Sequence, residues 1–217
     1  MGASNASLTY AITGLAVQPG TGTLYGSTSR HSANSPGNLV TVNPATGQVT
    51  VIGPFGSSRT AADLTFTPAG TLYGSMVGQV RRPQLGTINV TTGAATLVGS
   101  TNLSTTGDGS GLASDSTGKL FYVGPGTGDV LQTVNPSTGV PTVIGTLTAG
   151  QHNGDMVDAL DFSPTAVLFG VEANGGSSVF LITIAPPGSA APPSTVPIPS
   201  SLLLALTGLA CAGFSWN

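Results

Sequence analysis

Leu64-Thr-Phe-Thr-Pro-Ala-Gly-Thr-Leu-Tyr-Gly74 reads as a short apolar strand, a Pro/Gly turn and a second apolar strand, and the chain repeats that statement four times. The first strand of each copy opens at Leu15, Leu64, Leu112 and Leu160, at intervals of 49, 48 and 48 residues. The second follows as Leu24-Tyr-Gly26, Leu72-Tyr-Gly74, Leu120-Phe-Tyr122 and Leu168-Phe-Gly170, evenly spaced by 48. Between them lie Pro19-Gly20, Pro68-Ala-Gly70, Thr117-Gly118 or Pro164-Thr165, residue types that preset or permit turn dihedrals. Strand-built repeats of this period predict the blades of a β-propeller or a related array.

Two more extended segments complete each unit. The third is Leu39-Val-Thr-Val-Asn43, echoed by Leu85–Asn89, Leu131–Asn135 and Leu181–Ala185, with Thr41, Thr87, Thr133 and Thr183 at one offset. Its imperfect alternation suits strands buried on both faces between stacked blades. The turn that follows is Asn43-Pro-Ala-Thr-Gly47, Asn89-Val-Thr-Thr-Gly93 or Asn135-Pro-Ser-Thr-Gly139. Here the Asn side chain can fold back on the turn and the Gly can take a positive φ. The fourth segment is Val49–Gly53, Ala95–Gly99 or Pro141–Gly145. The predicted fold is therefore an all-β propeller of about four blades, each of up to four antiparallel strands, over residues 1–186. The repeats lie near 10–57, 58–105, 106–153 and 154–186.

The Leu-Tyr-Gly and Asn-Pro-x-Thr-Gly wording resembles bacterial secreted propeller repeats, relatives of WD-repeat and Kelch-like blades. That resemblance spans about residues 8–186 and implies a fold, not an activity.

The fourth unit lacks its last strand, because the chain turns to Ala185-Pro-Pro-Gly-Ser-Ala-Ala-Pro-Pro193. Ser7-Leu-Thr-Tyr-Ala-Ile12 has strand-like alternation and could close the ring, although residues 10–12 could equally begin the first inner strand. The alternatives are an open blade edge, which is a template for a neighbouring chain, or a piece of a larger propeller. An edge used head to tail gives filaments. Leu8 and Tyr10 are the N-terminal candidates for such assembly.

Residues 187–200 form a Pro/Ser/Ala-rich linker and 201–217 an apolar tail. No charged side chain follows Glu172. As a helix, the 201–214 run reaches only about 20 Å, short of a ~30 Å hydrocarbon core. Val196-Pro-Ile-Pro-Ser-Ser-Leu-Leu-Leu-Ala-Leu-Thr-Gly-Leu-Ala210 resembles the PEP-CTERM tail recognised by bacterial exosortases. Ile198 stands where that family has Glu, and Ser215-Trp-Asn217 where it has a basic cluster. The resemblance implies an extracellular or cell-surface protein of the biofilm matrix, with membrane contact only through this tail before processing. Leu202, Leu203, Leu204, Leu206, Leu209, Phe214 and Trp216 are its candidate packing or assembly residues.

Composition agrees with export. Charged residues are only 6% of 217, Lys119 is the only lysine and Cys211 the only cysteine. No disulfide framework or cysteine metal site can be built. The segment Met1–Ser7 has neither a basic nor an apolar leader region, so an exported chain is expected either to begin after a removed leader or to be a fragment. A net charge of −3, with no basic cluster beyond Arg81-Arg82, argues against nucleic acid.

Chemistry is sparse. The densest polar cluster is His152-Asn153-Gly-Asp155 with Asp158, and Asp108 occupies the related loop of the preceding unit. These residues supply oxygen ligands suited to Ca²⁺, or read simply as solvated turn-forming residues. No other cofactor is expected. Gly124-Pro-Gly-Thr-Gly128 lacks the following helix and Lys of a phosphate loop, and no nucleophile elbow is present. The expectation is a non-catalytic structural or adhesive protein that self-associates through an open edge or the tail. The alternative is a glycan- or peptide-binding module using loops 54–60, 102–110 and 150–157, and the third reading is a hydrolase or lyase.

Overall fold

The computed structural model describes residues 10–78, 82–103, 111–124, 130–146, 157–172 and 178–182. Within them the chain is built of β-strands. Blade 1 is β1 (Ile12–Val17), β2 (Leu24–Thr28), β3 (Asn38–Val42) and β4 (Val49–Pro54). Blade 2 is β5 (Thr60–Phe66), β6 (Leu72–Val77), β7 (Gln84–Ile88) and β8 (Ala95–Asn102). Blade 3 is β9 (Gly111–Ser114), β10 (Leu120–Gly124), β11 (Val130–Val134) and β12 (Pro141–Thr146). Blade 4 is β13 (Val157–Phe162), β14 (Leu168–Glu172) and β15 (Ser178–Ile182). Each blade is an antiparallel meander in chain order. The inner strands stack in sequence, β1 on β5, β5 on β9 and β9 on β13, while no packing of that extent returns from β13 to β1. This is a β-propeller array, as the 48-residue repeat predicts.

The inner strands begin earlier than the repeated Leu. β1 starts at Ile12 and β5 at Thr60, with register irregularities between Ile12 and Gly14, Ala61 and Leu64, and Val157 and Ala159. Ile12 thus belongs to the inner strand, and Ser7–Thr9 of the stretch offered for ring closure lie outside the described residues. Such bulges add a residue that the ladder cannot pair and re-aim its side chain.

Alternation sorts each blade into two flanks. Leu15, Gly26, Val40 and Val51 form one row across blade 1, and Val17, Leu24, Val42 and Val49 another row on the same flank. The matching flank of blade 2 carries Leu64, Phe66, Leu72 and Ile88, and it packs on Ala16, Tyr25, Leu39 and Phe55 of blade 1. The leading flank of every later blade therefore meets the trailing flank of the blade before it. Leu112, Leu120 and Val134 of blade 3 pack on Tyr73 and Leu85 of blade 2, and Leu160, Leu168 and Val157 of blade 4 on Ala113, Val123 and Leu131 of blade 3. β2, β6 and β10 are buried along their whole length, as strands covered on both sides must be.

The blade-to-blade contact includes a turn lock. Asn43 Oδ1 accepts the backbone N–H groups of Ala45 and Thr46, and Asn89 and Asn135 do the same for their turns. The closing glycines, Gly47, Gly93 and Gly139, have φ of 70°, 79° and 70°. A Cβ on Gly93 would lie 2.2 Å from the Gly53 carbonyl oxygen, and one on Gly139 2.2 Å from that of Val98. The turns of blades 2 and 3 thus sit directly on the fourth strand of the preceding blade, whereas nothing lies within 4 Å of the same point at Gly47.

Candidate functional site

The residue before the repeated Leu lies where the inner strands crowd together. It is Gly14, Asp63, Gly111 and Ala159 in the four blades. A Cβ at Gly14 would fall 2.7 Å from Asp63 Cα, and one at Gly111 would fall 2.6 Å from Leu160 Cγ. In this row of very small residues Asp63 carries a carboxylate, and it is 4% exposed.

The β5 irregularity between Ala61 and Leu64 aims the carboxylate along the inner strands. Asp63 Oδ1 accepts the Leu64 N–H at 2.8 Å and Oδ2 accepts the Leu112 N–H at 2.8 Å. The Leu160 amide adds a further backbone hydrogen bond. The Asp63 N–H donates to Ser75 Oγ at 3.0 Å. One side chain therefore gathers amides from β5, β9 and β13. Blades 1 and 2 are joined differently, with Thr13 Oγ1 donating to the Ala61 carbonyl at 2.7 Å.

Burial pushes the Asp63 pKa well above the ordinary carboxylate range, the three amides pull it back, and the nearby charge of Asp161 raises it further. Asp161 reaches solvent, yet the protein around it also raises its pKa against the pull of the Phe162 N–H, which its Oδ1 accepts at 2.8 Å. What Asp63 does is hold inner strands together, with the Asp161 charge acting on it through space. Among the described residues no group of three or more His, Cys, Asp or Glu is arranged to hold a metal ion.

The residues singled out from the sequence fall in different places. His152, Asn153, Asp155 and Asp108 lie outside the described residues, as do Leu8, Leu202, Leu203, Leu204, Leu206, Leu209, Phe214 and Trp216. Asp158 is half-buried in β13, in the irregularity between Val157 and Ala159, at the position of Thr13 in blade 1. Tyr10 is half-buried just before β1.

Of the loop stretches offered for ligand binding, 104–110 and 150–156 lie outside the described residues, and the apolar side chains described in the other parts are buried. In 54–60, Phe55 is 2% exposed and plugs the junction between blades 1 and 2; in 102–110, Leu103 is likewise 2% exposed between blades 2 and 3. These side chains seal blade junctions instead of presenting a surface. Asp63 was the residue that sequence reasoning missed, although a carboxylate at the repeat position filled elsewhere by Gly14, Gly111 and Ala159 was the available signal. A shallow hollow of about 350 Å³ lies at the end of blade 1, lined by Thr23, Thr41, Asn43, Gln48 and Thr50 among others, and it holds no charged group.

No family model matches the chain, and no curated protein matches it in sequence. Solved structures do match in fold. A protein of unknown function from Bacteroides thetaiotaomicron VPI-5482 superposes with a TM-score of 0.55 at 15% identity, covering 77% of this chain and 46% of that one. A protein described as TolB from Agrobacterium tumefaciens gives 0.52 at 16% identity, covering 80% of this chain and 58% of its own. The PQQ-bound aldose sugar dehydrogenase of Streptomyces coelicolor gives 0.50 at 14% identity, covering 86% and 81%. The chain thus spans about half the length of the first two. At these identities the likeness establishes the architecture: the chain is an all-β protein of the propeller type.

Proposed function

We propose that this protein is a non-catalytic extracellular structural or adhesive component, of the cell surface or biofilm matrix, that works by self-association. The observation that carries this reading is the leading flank of blade 1. Leu15 and Val17 are 39% and 59% exposed there, whereas Leu64 and Phe66 at the same positions of blade 2 are 3% and 8% exposed. On that flank Leu24 and Val40 are covered, at 8% and 0% exposure, and the exposed apolar patch is Leu15, Val17 and Val51, a composition that favours association. The axial carboxylate supports the same reading, because its oxygens already hold the inner strands and are not turned to a substrate. Ca²⁺ at the loop containing His152, Asn153 and Asp155 belongs to this proposal only as an accessory to matrix adhesion. Sedimentation velocity and negative-stain microscopy of the purified chain at neutral pH test it: oligomers or fibres are expected, and deletion of 185–217 reports the share carried by the tail. A chain that stays monomeric at every concentration overturns it.

A further inference from the structure

We propose that the end of blades 1 and 2 at which β1 and β5 begin is the binding surface for an acidic polysaccharide, whose ring carboxylates Arg59 and Arg82 engage. This deepens the adhesive reading and rests on it, because it names the partner that an adhesive matrix component would hold.

The argument begins with where the chain puts its few cations. Of its five Lys and Arg residues, four are arginines: Arg30, Arg59, Arg81 and Arg82. Arg30 follows β2, Arg59 precedes β5 and Arg82 precedes β7, so three separate connections bring a guanidinium to the same end of the blades. Arg81 lies outside the described residues. The lysine is at the opposite end, between β9 and β10, where Lys119 Nζ stands 5.3 Å over the Phe121 ring and its charge acts on Asp115. Asp63 is the only acidic residue before Asp108, and its oxygens are taken by amides. Neither blade therefore offers Arg59 or Arg82 a surface carboxylate, and neither side chain bonds to a described residue.

The three connections touch. A Cβ on Gly37 would lie 2.7 Å from the Arg59 carbonyl oxygen, and the Phe55 N–H donates to the Gly37 carbonyl at 2.9 Å. Thr60 is paired with Val77, and Met76 with Gln84, so Arg59 and Arg82 stand either side of the end of β6. The surface is also pre-built. The Ser29 N–H donates to the Ala11 carbonyl at 2.7 Å, Thr28 Oγ1 to that of Ser35 at 2.6 Å and Ser32 Oγ to that of Asn34 at 2.7 Å. Gly56, Ser57 and Ser58 follow one another with φ of 83°, 51° and 53°, and the Arg59 N–H closes that turn on the Gly56 carbonyl at 3.1 Å. Serine rarely adopts such a backbone, and strain kept in an exposed turn points to a contact that needs it. The Ser57 and Ser58 N–H groups have no acceptor among the described residues, and successive amides of a turn form a concavity suited to an anion.

The rest of the surface selects the partner. Ser57 and Ser58 are exposed beside Arg59, as are His31 and Asn34 in the adjoining connection, and these groups pair with sugar hydroxyls. None of the exposed large hydrophobic side chains lies in these connections, so there is no wedge for a membrane. Phe55 is their one benzene ring and it is buried, which leaves no platform for stacking a nucleic-acid base. A guanidinium fork matches a planar carboxylate through two parallel hydrogen bonds. A chain of uronic acids, carrying hydroxyls and a carboxylate on each ring, satisfies both sets of groups.

The test uses the full chain at neutral pH with alginate, a linear polymer of uronic acids, as the probe. Neutral dextran, single-stranded DNA and vesicles of anionic lipid are measured beside it. By biolayer interferometry alginate should bind and dextran should not, and binding should weaken as salt is raised. Arg59→Gln should weaken it about tenfold through loss of one charge-assisted fork, and Arg59→Gln with Arg82→Gln about a hundredfold. Arg59→Lys should recover only part of the loss, because the charge returns without the fork. Lys119→Gln, at the opposite end, should leave binding unchanged. Far-UV spectra of these variants should match the parent. No alginate binding, or binding that survives the double substitution, overturns the inference. Equal or tighter binding of DNA or of the vesicles overturns the choice of polysaccharide. Sedimentation velocity on the same samples separates the two readings. A chain that self-associates without holding alginate overturns this inference alone, and a monomer that holds alginate overturns self-association alone.

Discussion

Asp63 holds its two oxygens against the amides of Leu64 and Leu112, deep between inner strands, and burial keeps its pKa high. A carboxyl whose folded pKa is raised binds its proton more tightly in the native state than in the unfolded chain. Its contribution to stability is therefore complete below the ordinary carboxylate value of about 3.9 and is lost as pH rises towards the raised folded value. Asp161 acts in the same direction. Asp115 acts oppositely: partial burial works against its charge, but the Thr117 hydroxyl, the Lys119 and Thr117 amides and the Lys119 charge overcome that and lower its pKa. Its contribution is present above the ordinary value and lost as pH falls through the lowered one. Thermal unfolding should therefore show a midpoint that falls as pH rises above the ordinary carboxylate value of about 3.9, and Asp63→Asn should flatten that slope. Asp63→Ala leaves the Leu64 and Leu112 N–H groups, which Asp63 accepts at 2.8 Å, without their acceptor and should cost about 1–3 kcal/mol for each, read from urea unfolding. Phe55→Ala should cost about 3–5 kcal/mol by the same measurement, the range for emptying a buried aromatic site. A value near zero would return Phe55 to the surface role that its loop position suggested. Neither residue's role was visible in the sequence. Phe55 follows a turn-like Gly53-Pro54, and nothing local says that the chain folds back across a junction.

Turns, by contrast, are local objects, and the sequence states them openly. Asn43, Asn89 and Asn135 fold their side chains onto the next two amides, as the spacing of Asn and Gly predicts, and the strands follow from the apolar runs between the turns. What the letters do not carry is contact between units, and so the second use of the glycine stayed hidden. Gly47, Gly93 and Gly139 share a left-handed backbone, but only Gly93 and Gly139 press on a neighbouring carbonyl. Replacing any of them by Ala meets the left-handed penalty of about 1–2 kcal/mol. Gly93→Ala and Gly139→Ala must also push a blade aside, adding about 1–3 kcal/mol. Denaturant titration should therefore place Gly47→Ala well above the other two in stability. Equal losses at all three positions would show that the turn lock does not bear on the junctions. The inner-strand bulges were hidden for the same reason, since an extra residue in β5 is defined by its pairing with β6 and not by its own side chain.

A molecule made of stacked units distributes its stability by neighbours: each blade contributes its own term and one for every junction it shares. Among the described residues, apolar junction clusters lie on both flanks of blades 2 and 3 and on one flank each of blades 1 and 4. Asp63 reinforces this bias, tying β5, β9 and β13 together while leaving β1 to the Thr13 hydroxyl contact. Opening should therefore begin in blades 1 and 4. Amide hydrogen exchange is expected to be slowest in β6 and β10, which are covered on both sides, and fastest in β4. If copies join at the blade 1 flank, that order changes with concentration. Protection of Ala16 and Val17 in β1 should rise as the protein is concentrated, while β6 and β10 stay fixed, because mass action stabilises only the flank that gains a contact. Exchange in β1 that is slow and independent of concentration would mean that the flank is already covered within one chain.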